Sequence, residues 1–405
     1  MKKDLPVSSH ARSVVMQLQK AGYETYIVGG AIRDMLLGRT PKDFDISTAA
    51  TPEEIRQVFG RRSARIIGKR FRLAHVFTGG ELFEVATFRR APAVTGQDGR
   101  KSFSGEEIPE NLIISDNSFG NSQEDAARRD FTVNALFYDP EKREIKDFTG
   151  CGLDDIEHGI VRAIGEPGLR FEEDPVRMLR ALKLVGQYGF ELDNATENAL
   201  FAKLPLFELA SSSRRALELE KILQSSYGDR QLEVFHDYGL LELFLPQLEA
   251  AWDSNVMKYA LDLLYERNCR LEEGFFRNSI SLAMASLALP FVEKAMGNAP
   301  GELWSPGGES EEIVSEVVDK LFLPQNMMVR MREAACRILN LQPLMDKREN
   351  HMLRRIFSSR SYGHARELLF IRHIIAGKEL AACEKLWPDA VPERGMRMKK
   401  FRGRR

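Results

Sequence analysis

Across 405 residues there are only four cysteines and three tryptophans, and neither sign of charge predominates. The cysteines (Cys151, Cys269, Cys336 and Cys383) form no Cys-x-x-Cys pair and no cluster with histidine. That spacing argues against a structural zinc site and a disulfide-stapled scaffold, and predicts reduced, buried thiols. The 58 Lys and Arg nearly cancel the 59 Asp and Glu, for a net charge of −1. A surface that is basic all over is excluded, so any charge that binds nucleic acid must be gathered locally. Long apolar runs are missing too. The most apolar stretch, Ile280 to Val292, is broken by Ser281, Ser286 and Pro290, well short of the roughly 20 apolar residues that span a bilayer. The amino terminus reaches no apolar segment of the secretory kind. A soluble cytoplasmic protein with no membrane association is expected. The rest of the composition is ordinary, and the length implies two or three domains, each with its own core.

Residues 8–22 read as an amphipathic helix through Val14, Val15, Leu18 and Ala21, stopped by Gly22. Tyr23 to Val28 reads as a strand, followed by Gly29-Gly30 and a helix from Ala31 to Leu37. Asp43-Phe44-Asp45-Ile46 alternates with strand period. Thr51 caps a helix with Pro52 in its first turn. Leu73–Phe77 and Leu82–Phe88 read as strands joined at Gly79-Gly80. Residues 91–110 show no periodicity and are expected to form a mobile loop. The β-like alternation fades after Asp147, and from about residue 170 the chain reads as helix almost throughout, with turns at Gly189, Gly228, Gly239 and Pro246. The fold class expected is α+β, a small mixed sheet followed by an all-helical remainder.

Asp43 and Asp45 carry the most chemical information. On a strand, residues two apart share a face, so the two carboxylates would converge while Phe44 packs behind. Like charges so placed repel unless a cation lies between them, and Mg²⁺ takes one or two carboxylates together with substrate phosphates. Asp-x-Asp alone is common, and a solvated strand end is its ordinary meaning. Upstream, however, Gly29-Gly30 links a strand to a helix, a geometry that brings backbone N–H groups against phosphate. Together they point to a nucleoside triphosphate site.

The run VGGAIRDMLLGRTPKDFDISTAATPEEI resembles the opening motif of class II nucleotidyltransferases of the polymerase β superfamily, which comprises bacterial poly(A) polymerases and CCA-adding tRNA nucleotidyltransferases. FEVATFR (83–89), EDAARRDFTVNAL (124–136), IKDFTGCGLDDIEHGIVRAIG (145–165) and RFEEDPVRMLRALKL (170–184) follow in the family's order. The resemblance covers roughly the first 225 residues. It implies a polymerase β-like nucleotidyltransferase head at 1–148, a helical neck for nucleobase recognition at 149–225, a helical RNA-binding body at 226–390 and a basic tail, expected to be disordered, at 391–405.

By the same resemblance, Asp43 and Asp45 would hold two Mg²⁺ ions and serve catalysis, with Glu84 as candidate third carboxylate. Gly29, Gly30 and Arg33 would cradle the triphosphate of ATP. Arg129 and Asp130, which precede the strand-like Phe131-Thr132-Val133, would contact sugar and triphosphate, assisted by Asn134. Asp174 and Arg177, three apart on one helical face, would hydrogen-bond the base edge, and Arg180 would add a phosphate or base contact. Without a ligand, Asp174 reads simply as a helix N-cap before Pro175.

The segment from Arg65 to Val76, with Lys69-Arg70-Phe71 and Ala74-His75-Val76, resembles bacterial poly(A) polymerases rather than CCA-adding relatives. The terminal VPERGMRMKKFRGRR holds seven basic residues against one acidic, which suits capture of RNA phosphates without a tRNA-shaped surface. The implied activity is template-independent addition of AMP from ATP to RNA 3′ ends, on mRNA or decay fragments. The alternative is a CCA-adding or partial C- or A-adding enzyme acting on tRNA. A catalytically silent RNA-binding protein is a third class, against which intact Asp43, Asp45, Arg129, Asp174 and Arg177 argue.

Overall fold

The computed structural model describes residues 1–68, 72–90 and 118–389, and the chain divides into two compact units, Met1–Ala210 and Ser211–Arg405. The expected loop at 91–110, the basic tail and Lys69-Arg70-Phe71 lie outside the described residues.

The first unit opens with helix α1 (Ser9–Lys20), capped by the Ser8 hydroxyl, which accepts from Ala11 N–H, and buried along Ala11, Val14, Val15 and Leu18. Then come β1 (Thr25–Val28), α2 (Gly30–Leu36), β2 (Asp45–Thr48), α3 (Pro52–Phe59), β3 (Ala64–Ile67), β4 (Leu73–Thr78) and β5 (Glu81–Thr87). Beyond the undescribed stretch are α4 (Ser122–Arg128), β6 (Leu136–Asp139), β7 (Glu144–Asp147), α5 (Gly152–His158), β8 (Ile160–Val161), α6 (Pro167–Glu173), α7 (Val176–Tyr188), β9 (Glu191–Leu192) and α8 (Asn194–Lys203). Seven strands form one mixed sheet in the order β3-β4-β5-β2-β1-β6-β7. Within this sheet, among the described residues, β2–β5 is the one parallel pair; β8 and β9 pair in parallel apart from it. The central β1 is buried at all four positions, as expected of a strand covered on both faces. Tyr26, Val28, Phe88, Ala126 and Phe137 close one core, against which Phe148 packs.

In the second unit, α9 (Ser212–Gln224), α10 (Gly228–Asp237), α11 (Leu240–Phe244), α12 (Pro246–Glu249), α13 (Asn255–Glu272), α14 (Ile280–Ala295), α15 (Gly308–Phe322), α16 (Val329–Lys347), α17 (Leu353–Phe357), α18 (Tyr362–Ile375) and α19 (Leu380–Leu386) follow one another without a strand among the described residues. The apolar stretch 280–292 becomes α14, packed by α13, α15, α16 and α18. It is the core of this unit, and no described helix is long and apolar enough to cross a membrane. The fold is α+β, as expected.

Four local expectations are corrected. β2 begins at Asp45, not Asp43: its pairing with β1 ends at Val28↔Asp45 and its pairing with β5 begins at Ile46↔Val85, so Asp43 and Phe44 are outside both ladders. Phe131-Thr132-Val133 is not a strand. Phe131 makes one isolated bridge to Ala163, and Thr132–Asn134 is a 3₁₀ turn whose entry is fixed by the Asp130 carboxylate on Phe131 N–H. Asp174 does not share a helix face with Arg177, for it lies in extended backbone between α6 and α7. The cysteines are free, but Cys151 is exposed and only Cys383 is buried.

Candidate functional site

The turn from β1 into α2 is where the first unit gathers its polar side chains. Gly29 sits at φ +77, ψ −143, in a region close to one that only glycine adopts freely. A Cβ placed there would lie 3.4 Å from Arg129 Nη1, 3.9 Å from the Asn134 carbonyl oxygen and 4.0 Å from Asp45 Oδ2. One bare backbone position thus has a guanidinium, a carbonyl and a carboxylate around it.

Asp45 is exposed at the first position of β2, and Asp43, also exposed, precedes it. Continuing the parallel register Ile46↔Val85 by one step sets Glu84 beside Asp45 on the same face. On that face Glu84 lies by its other neighbour, its register partner His75 on β4, with 3.6 Å between Nε2 and Oε1. Among the described residues no three His, Cys, Asp or Glu side chains are gathered to hold a metal ion. The structure therefore puts Glu84 next to the aspartate pair without joining it to them.

Arg129 is rigidly held. It donates to Asp125 Oδ2 (2.9 Å), Ser47 Oγ (3.2 Å) and the Asn134 carbonyl (3.3 Å), and its guanidinium lies 5.0 Å from the centre of the Phe137 ring. Asp125 in turn accepts from Arg89 N–H. Asp130 is buried and accepts from Phe131 N–H (2.8 Å) and Asn134 Nδ2 (3.2 Å), with Arg180 at 2.6 Å. Burial alone would push its pKa up; the Arg180 charge and these hydrogen bonds outweigh that and hold it below the usual carboxylate value. Asn134 also accepts from Arg33 Nη1 at 2.6 Å.

Arg33 is buried rather than presented to solvent. It also bonds Asp34 Oδ1 (2.8 Å) and the Tyr188 hydroxyl (2.5 Å), and its Nη2 would be 3.2 Å from a Cβ on Gly30. The guanidinium therefore underlies Gly30. At the start of α7, Arg177 is buried and donates to Glu173 Oε2 (2.7 Å) and the Arg170 carbonyl (2.8 Å), while Asp174 accepts from Val176 N–H. Arg170 reaches back to the Arg128 and Arg129 carbonyls at 2.6 Å each, which fixes α6 against the segment bearing Arg129. Asp34, Asp125, Arg170, Glu173 and Tyr188 were missed as parts of this network. Asp125 was legible, being one helical turn before Arg129, whereas Tyr188 has no spacing signal at all.

Two family models match the chain: the poly A polymerase head domain over residues 25–162, and a "probable RNA and SrmB-binding site of polymerase A" over 189–252. Poly(A) polymerase I of Haemophilus influenzae is 38% identical over 291 residues, 71% of this chain and 63% of that protein, so the chain spans less than two thirds of that relative's length. Poly(A) polymerase I of Escherichia coli O157:H7 is 32% identical over 392 residues, 95% of this chain and 82% of the relative. The chain belongs to the poly(A) polymerase family. It is therefore a nucleotidyltransferase. Gly29, Gly30, Arg33, Asp43, Asp45, Glu84, Arg129, Asp130 and Asn134 all fall inside the family's head-domain match, and Asp174, Arg177 and Arg180 fall between the two matched segments. Among solved structures, the Bacillus stearothermophilus CCA-adding enzyme in complex with CTP resembles the chain with a TM-score of 0.61 at 26% identity, over 93% of this chain and 80% of that one.

Proposed function

We propose that the protein adds AMP from ATP to RNA 3′ ends without a template, at the site around Gly29. The observation that carries this reading is the approach of Arg129 Nη1 and Asp45 Oδ2 to a position whose backbone conformation favours glycine and leaves it bare. Such a cradle suits a triphosphate, which needs close backbone approach and a planar, fixed guanidinium.

Asp43 and Asp45 are exposed hard-oxygen donors two residues apart. That set fits Mg²⁺, which keeps several waters and needs no three-ligand protein cage. Two such ions, when bound, would acidify the RNA 3′-hydroxyl and neutralise the departing pyrophosphate. Gly29 and Gly30 admit the triphosphate, Arg33 supports Gly30 from below, and Arg129 meets phosphate and sugar. Asp130 holds Arg180 and Asn134 in place. Asp174 and Arg177 read the base edge, so that protein side chains substitute for a template strand. Glu84 stands by as a further carboxylate beside Asp45. The helical neck at 149–225 and body at 226–390 serve base recognition and RNA binding, which the match over 189–252 supports. The RNA substrates are mRNA and decay-fragment ends.

A second reading, CCA addition to tRNA, is favoured by the resemblance to the CCA-adding enzyme. The two separate on two substrates, a tRNA lacking its 3′ end and a plain oligoribonucleotide, each given all four nucleotides and the products sequenced. Long A tails on both support adenylyl transfer. Addition confined to tRNA and incorporating C refutes it.

A further inference from the structure

We infer that Tyr188 is a positioning residue for base selection, anchoring the far end of the base-reading helix α7 to the triphosphate turn. The inference rests on the assignment of Asp174 and Arg177 to the base. Tyr188 closes α7, eleven residues after Arg177, a separation of about 16 Å along the axis. Its hydroxyl accepts from Arg33 Nη2 (2.5 Å) and Gln187 Nε2 (3.0 Å) and donates to Asp34 Oδ1 (2.6 Å). Its ring takes two guanidiniums, Arg33 at 4.3 Å and Arg39 at 4.6 Å from the centroid, and Arg39 also donates to the Gln187 carbonyl (3.3 Å). Burial and the Asp34 charge raise the phenol above its usual pKa, so the hydroxyl keeps its proton and the donation to Asp34 persists.

The second hold on α7 is the pair Arg180–Asp130. Asn134 joins the two, giving its amide to Asp130 and its oxygen to Arg33. A closed circuit therefore runs Tyr188–Arg33–Asn134–Asp130–Arg180 and back along α7. A helix held at one point can pivot, and one held at two points keeps its first turn at a fixed distance from Gly29 and Gly30. Discrimination between bases depends on that distance, because a misplaced hydrogen-bonding edge leaves polar groups unpaired for the right base as well as the wrong one.

The test is Tyr188→Phe, which keeps the ring and both cation contacts and removes only the hydroxyl. Steady-state kcat and KM for ATP and for CTP are measured with a plain oligoribonucleotide, alongside the melting temperature. The ratio of kcat/KM for ATP over CTP should fall about tenfold, through a higher KM for ATP, as expected for losing hydrogen bonds to charged groups. The kcat for AMP transfer should stay near wild type, while the melting temperature falls by a few degrees for the same lost hydrogen bonds. If Tyr188→Phe does not fold, Arg39→Gln reads the same anchor, with about a threefold fall in the ratio from the lost cation–π contact. An unchanged ratio, or equal losses for both nucleotides in step with a lower melting temperature, overturns the inference. Wild-type protein with no preference between ATP and CTP overturns both it and the base-reading assignment on which it rests.

Discussion

Replacing Gly29 by alanine should damage the protein twice, once through its backbone and once through its site. At φ +77, ψ −143 a residue with a Cβ costs about 1–3 kcal/mol. For a unit of this size each kcal/mol lowers the melting temperature by about 2–4 °C, so a fall of roughly 2–12 °C is expected. The new methyl would lie 3.4 Å from Arg129 Nη1. That guanidinium cannot swing aside cheaply, since Asp125, Ser47 and the Asn134 carbonyl all hold it. At that ordinary contact distance Arg129 need not move; the methyl instead occupies the cradle, and a triphosphate held near 1 Å out of place can cost about 100-fold in rate. Gly38→Ala separates the two effects. Gly38 has φ +72 but nothing within 4 Å of an added Cβ, so it should lose about 1 kcal/mol from the left-handed backbone alone and keep its turnover. AMP incorporation and thermal melting of both variants decide the matter. Gly29→Ala with normal turnover, or Gly38→Ala as inactive as Gly29→Ala, refutes the cradle.

Asp130→Asn should destabilise the protein by about 2 kcal/mol at neutral pH through its ion pair and hydrogen bonds. The native pKa of Asp130 is depressed from 3.8, so this contribution is present above 3.8 and disappears as pH falls through the native value; chemical denaturation of both proteins across pH 2–7 should show the two curves converging in acid, and a constant gap contradicts the assignment. In the helical unit, Glu293 is buried, with Gly301 N–H on one oxygen and no hydrogen-bond partner on the other, and burial pushes its pKa up from 4.5 to about 7. A raised native pKa favours the fold below 4.5 and withdraws that support as pH rises through about 7, so Glu293→Gln should gain stability relative to wild type between pH 5 and 8, by up to about 3 kcal/mol. A wild-type stability that does not decline in that window would contradict it.

Local chemistry was readable in the sequence where neighbours in the chain supply it. The Thr51–Glu54 capping box and Pro52 set α3, the apolar spacing set α1, and Gly79-Gly80 joins β4 to β5. The turn at Gly29 was visible because a glycine between a strand and a helix has few other meanings. What escaped depends on partners far away in sequence. Whether Asp43 belongs to a strand is decided by where the ladders to β1 and β5 stop. Phe131-Thr132-Val133 has strand composition, yet the Asp130 carboxylate and the bond from the Thr132 hydroxyl to Asp155 (2.6 Å) draw it into a turn. Arg33 looked like an open phosphate ligand until Asn134 and Tyr188, 101 and 155 residues away, were found holding it beneath Gly30. No periodicity encodes such contacts.

The most direct test of the proposed chemistry is single-turnover AMP transfer by Asp45→Asn, at saturating Mg²⁺, ATP and oligoribonucleotide. The substitution keeps the side chain's size at an exposed strand start and removes only the charge, so the fold and melting temperature should persist. Loss of metal-held charge stabilisation worth several kcal/mol corresponds to a rate fall on the order of a thousandfold, and that is the result expected. Transfer near the wild-type rate would contradict the assignment of Asp45 and, with it, the placement of the reaction at Gly29.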